Sequence, residues 1–428
     1  MLFEHIDYLD ENFEVQKNAF IGIKDGKIAY IGTEKPQEDF GEVYNGKHGL
    51  MMSGFVNAHS HAPMTLLRGY GENLPLDRWL NEKIFPFEDK LTDSAIAAST
   101  TLACAEMIRF GTVSFSDMYF FSQTMAKSIL DSGIKCNLSR GLTVFSDQDY
   151  EQLEAYKDNM DLLKNYQNAG NGRLKIDLCI HGEYTTTPKV VEAIAKHAKS
   201  ENVNVHIHLS ETKKEHEECK QRHGKTPAKY FADLGLFDQP TTAAHCVWVE
   251  DEDIELFKKY GVTVACNPVS NMKLASGFAP IPKMLEKGIN IALGTDGCAS
   301  NNNLNIMQDL YLFALLYKGV TGDPTVVTPK QALSAATLNG FKSQGRMDSG
   351  KISVGQKADI IVINTDVPNM YPATDIACNL VYAAQGSDIK LTMVDGKVLY
   401  KDGEYLTIDI EKAKAQTQMH TDAILQQL

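Results

Sequence analysis

The sequence predicts an α/β protein: a (β/α)8 TIM barrel with a small β-sandwich domain built from both chain termini. Three observations predict it. The middle of the chain alternates eight short, β-branched apolar runs with helical stretches. Polar residues able to bind a metal stand where several of those runs stop. The two ends carry matching hairpins with no helical periodicity.

Taken in order, residues 20–31 read Phe20-Ile21-Gly22-Ile23-Lys24-Asp25-Gly26-Lys27-Ile28-Ala29-Tyr30-Ile31, two strands around an Asp-Gly turn. The first barrel run, 54–58, ends in His59-Ser60-His61. Runs at 113–116, 136–139, 176–180, 203–207, 242–244, 262–266 and 289–293 complete the eight. Helical stretches at 94–110, 189–200 and 251–260 carry apolar residues at three- and four-residue spacing. A strand follows at 359–363, then a second Asp-Gly hairpin at 391–400 and a helix over 410–428 to which no chemistry is assigned. Residues 1–50 and 351–428 are therefore given to the sandwich and the closing helix, and 51–350 to the barrel. A doubly wound open sheet fits less well, because no Gly-x-Gly-x-x-Gly follows the first strand and its ligand site would not draw on strands from both ends of the chain.

A chain of 428 residues can bury a large core, and its 43% hydrophobic and 23% charged residues are ordinary for a globular protein. The net charge of −13 argues against a nucleic-acid backbone or an anionic membrane surface as partner, since both attract basic patches. Eight scattered cysteines form no Cys-x-x-Cys pair, the start has no basic n-region, and no run approaches the roughly 18 apolar residues of a membrane span. A reducing cytoplasm is the expected home.

On a strand, residues i and i+2 share a face, so His59 and His61 aim at one point. Among twelve histidines such a pair is a weak signal. Three later runs strengthen it, since they stop at His208 and Glu211, at His245, and at Asp296. If His59, His61, His208 and Asp296 converge, three imidazoles and a carboxylate suit one divalent ion, Zn²⁺ or Fe²⁺, whose bound water ionises near neutral pH. Glu211 is then placed to move a proton to a ring nitrogen, His245 to polarise the attacking oxygen, and Asp296 to take the water's proton. This set describes hydrolytic loss of nitrogen from carbon. Each residue has an ordinary competitor: His206 shares the spacing and could be the ligand in place of His208, Glu211 could open a solvated helix, and Asp296 could form a turn.

The segments Gly54-Phe55-Val56-Asn57-Ala58-His59-Ser60-His61, His206-Ile207-His208-Leu209-Ser210-Glu211-Thr212, Ala244-His245-Cys246 and Gly294-Thr295-Asp296-Gly297-Cys298-Ala299-Ser300 resemble those of the amidohydrolase superfamily. Within it they resemble the branch of 5-methylthioadenosine and S-adenosylhomocysteine deaminases and their s-triazine hydrolase relatives. The resemblance implies His59, His61, His208 and Asp296 as ligands of one metal, leaving His206 out, with Glu211 and His245 as catalytic acid/base and electrophilic partner. It implies that Trp79 packs on the 5′ substituent, Glu88 binds the ribose diol, His181 contacts the purine, Arg140 faces the far end of the substrate, and Ser300 joins the substrate-binding set. His181 stands where two-metal members present a lysine. Some branch members carry a second arginine about a dozen residues after the one matched by Arg140, where this chain reads Asp147-Gln148-Asp149-Tyr150-Glu151-Gln152. The expected reaction is deamination at C6 of an adenine nucleoside, the rivals being another heterocycle such as guanine or an s-triazine, or a catalytically silent barrel. A homodimer is a family-level expectation.

Overall fold

In the computed structural model, which describes residues 1–428, the strand-forming runs gather into three sheets. The N-terminal arm supplies β1 (Leu2–Leu9), β2 (Val15–Lys24), β3 (Lys27–Gly32), β4 (Val43–Asn45) and β5 (Gly49–Ser53). The middle supplies β6 (Phe55–His61), β7 (Thr112–Tyr119), β8 (Lys135–Arg140), β9 (Leu174–Ile176), β10 (Leu178–Ile180), β11 (Val205–Leu209), β12 (Thr241–His245), β13 (Thr263–Cys266), β14 (Ile291–Leu293) and β15 (Asp296–Gly297). The C-terminal arm adds β16 (Ile360–Asn364), β17 (Ile389–Val394), β18 (Lys397–Lys401) and β19 (Glu404–Tyr405).

Both arms meet in one nine-stranded sheet of order β19-β18-β17-β16-β5-β1-β2-β3, with β4 paired to β1. Its two hairpins turn at Asp25-Gly26 (φ 52° and 77°) and Asp395-Gly396 (φ 45° and 75°), the positive-φ pair that Asp-Gly accommodates. On β16 the side chains alternate between two cores. Ile360 and Val362 join Phe3, Ile21, Leu391 and Met393, whereas Ile361 and Ile363 join the main core. A strand covered on both faces reads as an unbroken apolar run, which is how 359–363 appears in the sequence.

The central strands are parallel and form two five-stranded sheets, β15-β6-β7-β8-β9 and β10-β11-β12-β13-β14. The expected run at 176–180 is interrupted at Asp177, and the one at 289–293, which forms β14 over 291–293, is followed by a break at Gly294-Thr295 before the chain rejoins a ladder as β15. At each break an asparagine of the neighbouring strand bonds the residue there. Asn137 Nδ2 donates to both carboxylate oxygens of Asp177 at 3.1 and 2.9 Å. Asn57 Oδ1 accepts the Thr295 N–H at 3.0 Å while its Nδ2 donates to Thr295 Oγ1 at 2.6 Å. Gly294 admits no side chain: a Cβ there would lie 2.3 Å from Asn267 Oδ1 and 2.9 Å from the His59 backbone nitrogen. The two halves of each interrupted run serve different sheets, β9 pairing with β8 and β10 with β11, β14 with β13 and β15 with β6.

The strands outlast their apolar runs. β6 continues through His61, β11 through Leu209 and β12 through His245, so the site histidines belong to the ladder itself. Helices Asp93–Arg109, Pro188–Glu201, Asp251–Tyr260 and Ile410–Leu425 agree with the expected ranges to within a few residues at their ends. No helix is long and apolar enough to cross a membrane.

A buried ion cluster ties the terminal sheet to the central strands. Lys135, at the start of β8, bonds Asp359 and, at 2.7 Å, Asp395, and neither the lysine nor the Asp359 side chain reaches solvent. Ser349 Oγ donates to Asp359 at 2.7 Å, and the Asp395 N–H to its other oxygen at 2.9 Å. Burial alone would raise the Asp359 pKa, but Lys135 holds it below the usual carboxylate value. Removing the cation leaves a buried, uncompensated carboxylate. Lys135→Ala is therefore expected to cost about 3–5 kcal/mol, read as a lowered urea midpoint; an unchanged midpoint would show that the cluster contributes nothing to holding the sheet.

Candidate active site

Period-two alternation places His59 and His61 on one face of β6, and the parallel register sets Asp296 of β15 beside Ser60. His59 Nε2 and His61 Nε2 lie 3.5 and 3.2 Å from Asp296 Oδ1, and His208 Nε2 lies 3.3 Å from His61 Nε2. Each imidazole commits its other nitrogen elsewhere. His61 Nδ1 donates to the Met118 carbonyl at 2.8 Å and His208 Nδ1 to the His181 carbonyl at 2.6 Å, while His59 Nδ1 meets His206 Nε2 at 3.0 Å. His59 Nε2 is buried without a hydrogen-bond partner. The side chains fall into two overlapping groups able to hold a metal ion, His59 with His61 and Asp296 and His59 with His208 and His245, and such imidazole and carboxylate donors fit a divalent cation.

Electrostatics agree with that reading. Burial drives His59 down to about 3, which keeps it neutral. Burial opposes protonation of His61 too, but its bond to Asp296 raises it to about 9. Asp296, despite its burial, is held well below the carboxylate range by His59 and His61. A cation entering here displaces the His61 proton, so uptake strengthens as pH rises.

Asp296 is fixed from behind. Its Oδ2 accepts Ser270 Oγ at 2.7 Å and Ser300 Oγ at 2.9 Å, while Oδ1, which faces the histidines, also accepts the Gly297 N–H at 2.9 Å. Ser210, His245 and Asp296 all have left-handed backbones, with φ of 47°, 70° and 62°. Such strain in non-glycine residues clusters where function over-determines the backbone.

Glu211 follows β11 and is buried, which raises its pKa. The Ser210 and Glu211 N–H groups each donate to one oxygen of Glu215 at 2.8 Å, so a second carboxylate clasps the turn that presents Glu211. His245 Nδ1 meets Asn271 Oδ1 at 2.8 Å, and its Nε2 lies 3.9 Å from Glu211 Oε2.

These groups line a chamber of about 60 Å³ together with Trp79, His181, Tyr184, Leu274 and Ser300. Trp79, His181, Tyr184 and Leu274 also line an adjoining cleft of about 850 Å³. Burial lowers His181 to about 4, so it is neutral. Two expected substrate residues line neither cavity. Glu88 accepts a hydrogen bond from the Tyr119 hydroxyl, and burial raises it to about 7. Arg140 Nε donates to Asp158 at 2.9 Å, and its guanidinium lies over Phe120.

Several supporting residues escape sequence reasoning. Asp117 accepts Ser60 Oγ and the Ala62 N–H, both at 2.7 Å, bracing the strand end that carries His61. Its place at the end of the 113–116 run was the available signal. Glu215 and Asn271 lie in helices Lys213–His223 and Pro268–Lys273, where polar residues are unremarkable in sequence.

The amidohydrolase family pattern matches residues 50–399. A Dictyoglomus turgidum protein named 5-methylthioadenosine/S-adenosylhomocysteine deaminase is 42% identical over 412 residues, 96% of each chain. A Methanosarcina acetivorans protein named 5′-deoxyadenosine deaminase is 41% identical over 92% of this chain and 91% of its own. The crystal structure of a Xanthomonas campestris adenosine deaminase with bound zinc superposes with a TM-score of 0.93 at 29% identity, covering 99% of this chain and 98% of that one. With its histidines and aspartate drawn together at strand ends and a match spanning most of its length, the chain belongs to the amidohydrolase family.

Proposed function

We infer that the protein is a metal-dependent hydrolase that removes the 6-amino group of an adenine nucleoside, giving the inosine analogue and ammonia. The observation that carries this reading is the convergence of three imidazole Nε2 atoms and Asp296 Oδ1 beside Glu211 and His245. Full-length relatives named as adenine-nucleoside deaminases support it. In the same reading, β6 to β15 form one (β/α)8 barrel whose halves join at Asp177 and Gly294-Thr295, and the curled nine-stranded sheet, with its own apolar core, is the sandwich contributed by residues 1–50 and 351–428. Eight unpaired cysteines, seven of them buried, suit a reducing cytoplasm.

His59, His61, His208 and Asp296 would hold the ion, Zn²⁺ by analogy with the zinc-bound relative and Fe²⁺ as the alternative. Bound there, it supplies Lewis acidity that brings the ionisation of water to about pH 7. The chain's own groups do the rest. Glu211, whose burial favours the protonated form, donates to N1 of the purine as oxygen adds to C6. His245, held by Asn271, offers Nε2 to the attacking oxygen. Asp296 Oδ1 takes one proton of the water and returns it to the departing amino group, and as the C6–N bond breaks Glu211 recovers a proton from the C6 hydroxyl, so that ammonia leaves and the C6 carbonyl forms. His181 contacts the purine and Trp79 covers the 5′ side, both standing where chamber and cleft adjoin. Ser300 acts on the substrate side through the carboxylate it orients. Glu88 has no cationic partner and takes one hydrogen bond, from Tyr119, leaving lone pairs for a ribose diol. Arg140 is neutralised by Asp158, so a substrate carboxylate must compete for it. Nucleosides without one (5′-deoxyadenosine, methylthioadenosine, adenosine) are favoured over S-adenosylhomocysteine.

Ammonia release from these four nucleosides, guanine and an s-triazine tests the reading. Turnover is expected for the adenine nucleosides alone, with S-adenosylhomocysteine the poorest; turnover of guanine or triazine alone would overturn the substrate class. His59→Ala is expected to lose bound metal and activity together, and metal analysis finding a full equivalent would remove His59 from the ligand set. Glu211→Gln should keep its metal yet turn over about 10²–10⁴ times more slowly, whereas wild-type kcat would discard it as the proton carrier.

A further inference from the structure

Two of the three candidate ligand imidazoles are anchored by backbone carbonyls, at Met118 and His181, which no substitution can remove. His59 differs. Its Nδ1 rests on a side chain, His206 Nε2, at 3.0 Å, with the rings tilted by 69° and both buried. His206 lies two residues before His208 on β11, on the same face and one step deeper in the strand. The bond admits two tautomeric arrangements. If His206 donated, His59 would carry its hydrogen on Nε2, whose nearest acceptor, Asp296 Oδ1 at 3.5 Å, lies outside good hydrogen-bond geometry, and a buried N–H left without a proper acceptor costs on the order of 1–3 kcal/mol. If His59 donates from Nδ1, its Nε2 lone pair faces His61 and Asp296. The second arrangement satisfies the buried atoms and makes His59 a ligand.

We propose that His206 is a positioning residue that accepts the Nδ1 hydrogen of His59, fixes its tautomer and orientation, and so sets how tightly this site holds a divalent cation. The proposal rests on His59 being a ligand. It also settles the ambiguity of the His206-Ile207-His208 spacing: one histidine faces the cation and the other faces the ligand.

The test compares two amides of different reach in the full-length protein. The side-chain oxygen of glutamine falls near the Nε2 position of histidine, and that of asparagine falls near Nδ1, too short to meet His59. Zinc affinity is measured by competition with a chromophoric chelator after stripping the protein of metal. His206→Gln is expected to bind zinc within a few-fold of wild type, and His206→Asn about 10–100-fold more weakly. The visible absorption of the Co²⁺-substituted protein should be alike in wild type and His206→Gln, because no ligand is lost. Equal affinities in wild type and both variants would overturn the proposal. So would equal weakening in both with an altered Co²⁺ spectrum, which would make His206 itself a ligand. His59→Ala in the same assay separates the two readings: zinc affinity at the wild-type level there would remove the ligand assignment on which the proposal stands.

Discussion

Each of the three imidazoles proposed to hold the cation commits its other ring nitrogen to a neighbour, and much of the centre of this molecule serves that constraint. Two acceptors come from the neighbouring strand or its end, Met118 of β7 for His61 and His181, the residue after β10, for His208, and the third, His206 of β11, comes from a strand of the other sheet to meet His59 on β6. Parallel pairing of β6 with β7 and of β10 with β11 sets the first two anchors alongside their imidazoles. Asp296 is anchored likewise, with Ser270 and Ser300 bonding the oxygen turned away from the histidines and the Gly297 N–H the one turned towards them.

Gathering so many polar groups in the interior is costly. Asp117, Asp177, Glu211, Glu215 and Asp296 are all buried, as are six of the twelve histidines. Most of these carboxylates accept hydrogen bonds from backbone N–H, serine or asparagine groups, which satisfy them without a formal counter-charge. A main core of 94 buried apolar residues offsets the remainder. The left-handed residues at Ser210, His245 and Asp296 concentrate backbone strain at the mouth, where the side chains must turn over the site.

The side chains that gather at the site were legible because strand geometry writes itself into spacing: His59 and His61 two apart, and His208, His245 and Asp296 at the stops of apolar runs. The supporting groups were not. Ser270, Asn271 and Glu215 act from helices or turns whose polar residues look solvent-bound in sequence, and only the fold brings them inward. Arg140 shows the opposite failure. Its position at the end of β8 was clear, but Asp158, eighteen residues on, takes up its charge, and no local pattern announces such a pairing. The breaks at Asp177 and Gly294-Thr295 also escaped notice, because a run of apolar residues does not reveal that its two halves pair with different neighbours.

The placement of β5 bears on how the molecule is made. That strand leads directly into the first central strand, yet on one side it hydrogen-bonds to β16, which the ribosome delivers roughly 300 residues later, a delay of about 15 to 60 s at 5–20 residues per second. Throughout that interval the edge at Leu50, Met51 and Met52 has no strand to pair with on that side. A nascent chain in this state is open to association through its unpaired edge. The two arms are thus separated in synthesis by the whole interval over which this edge stays open.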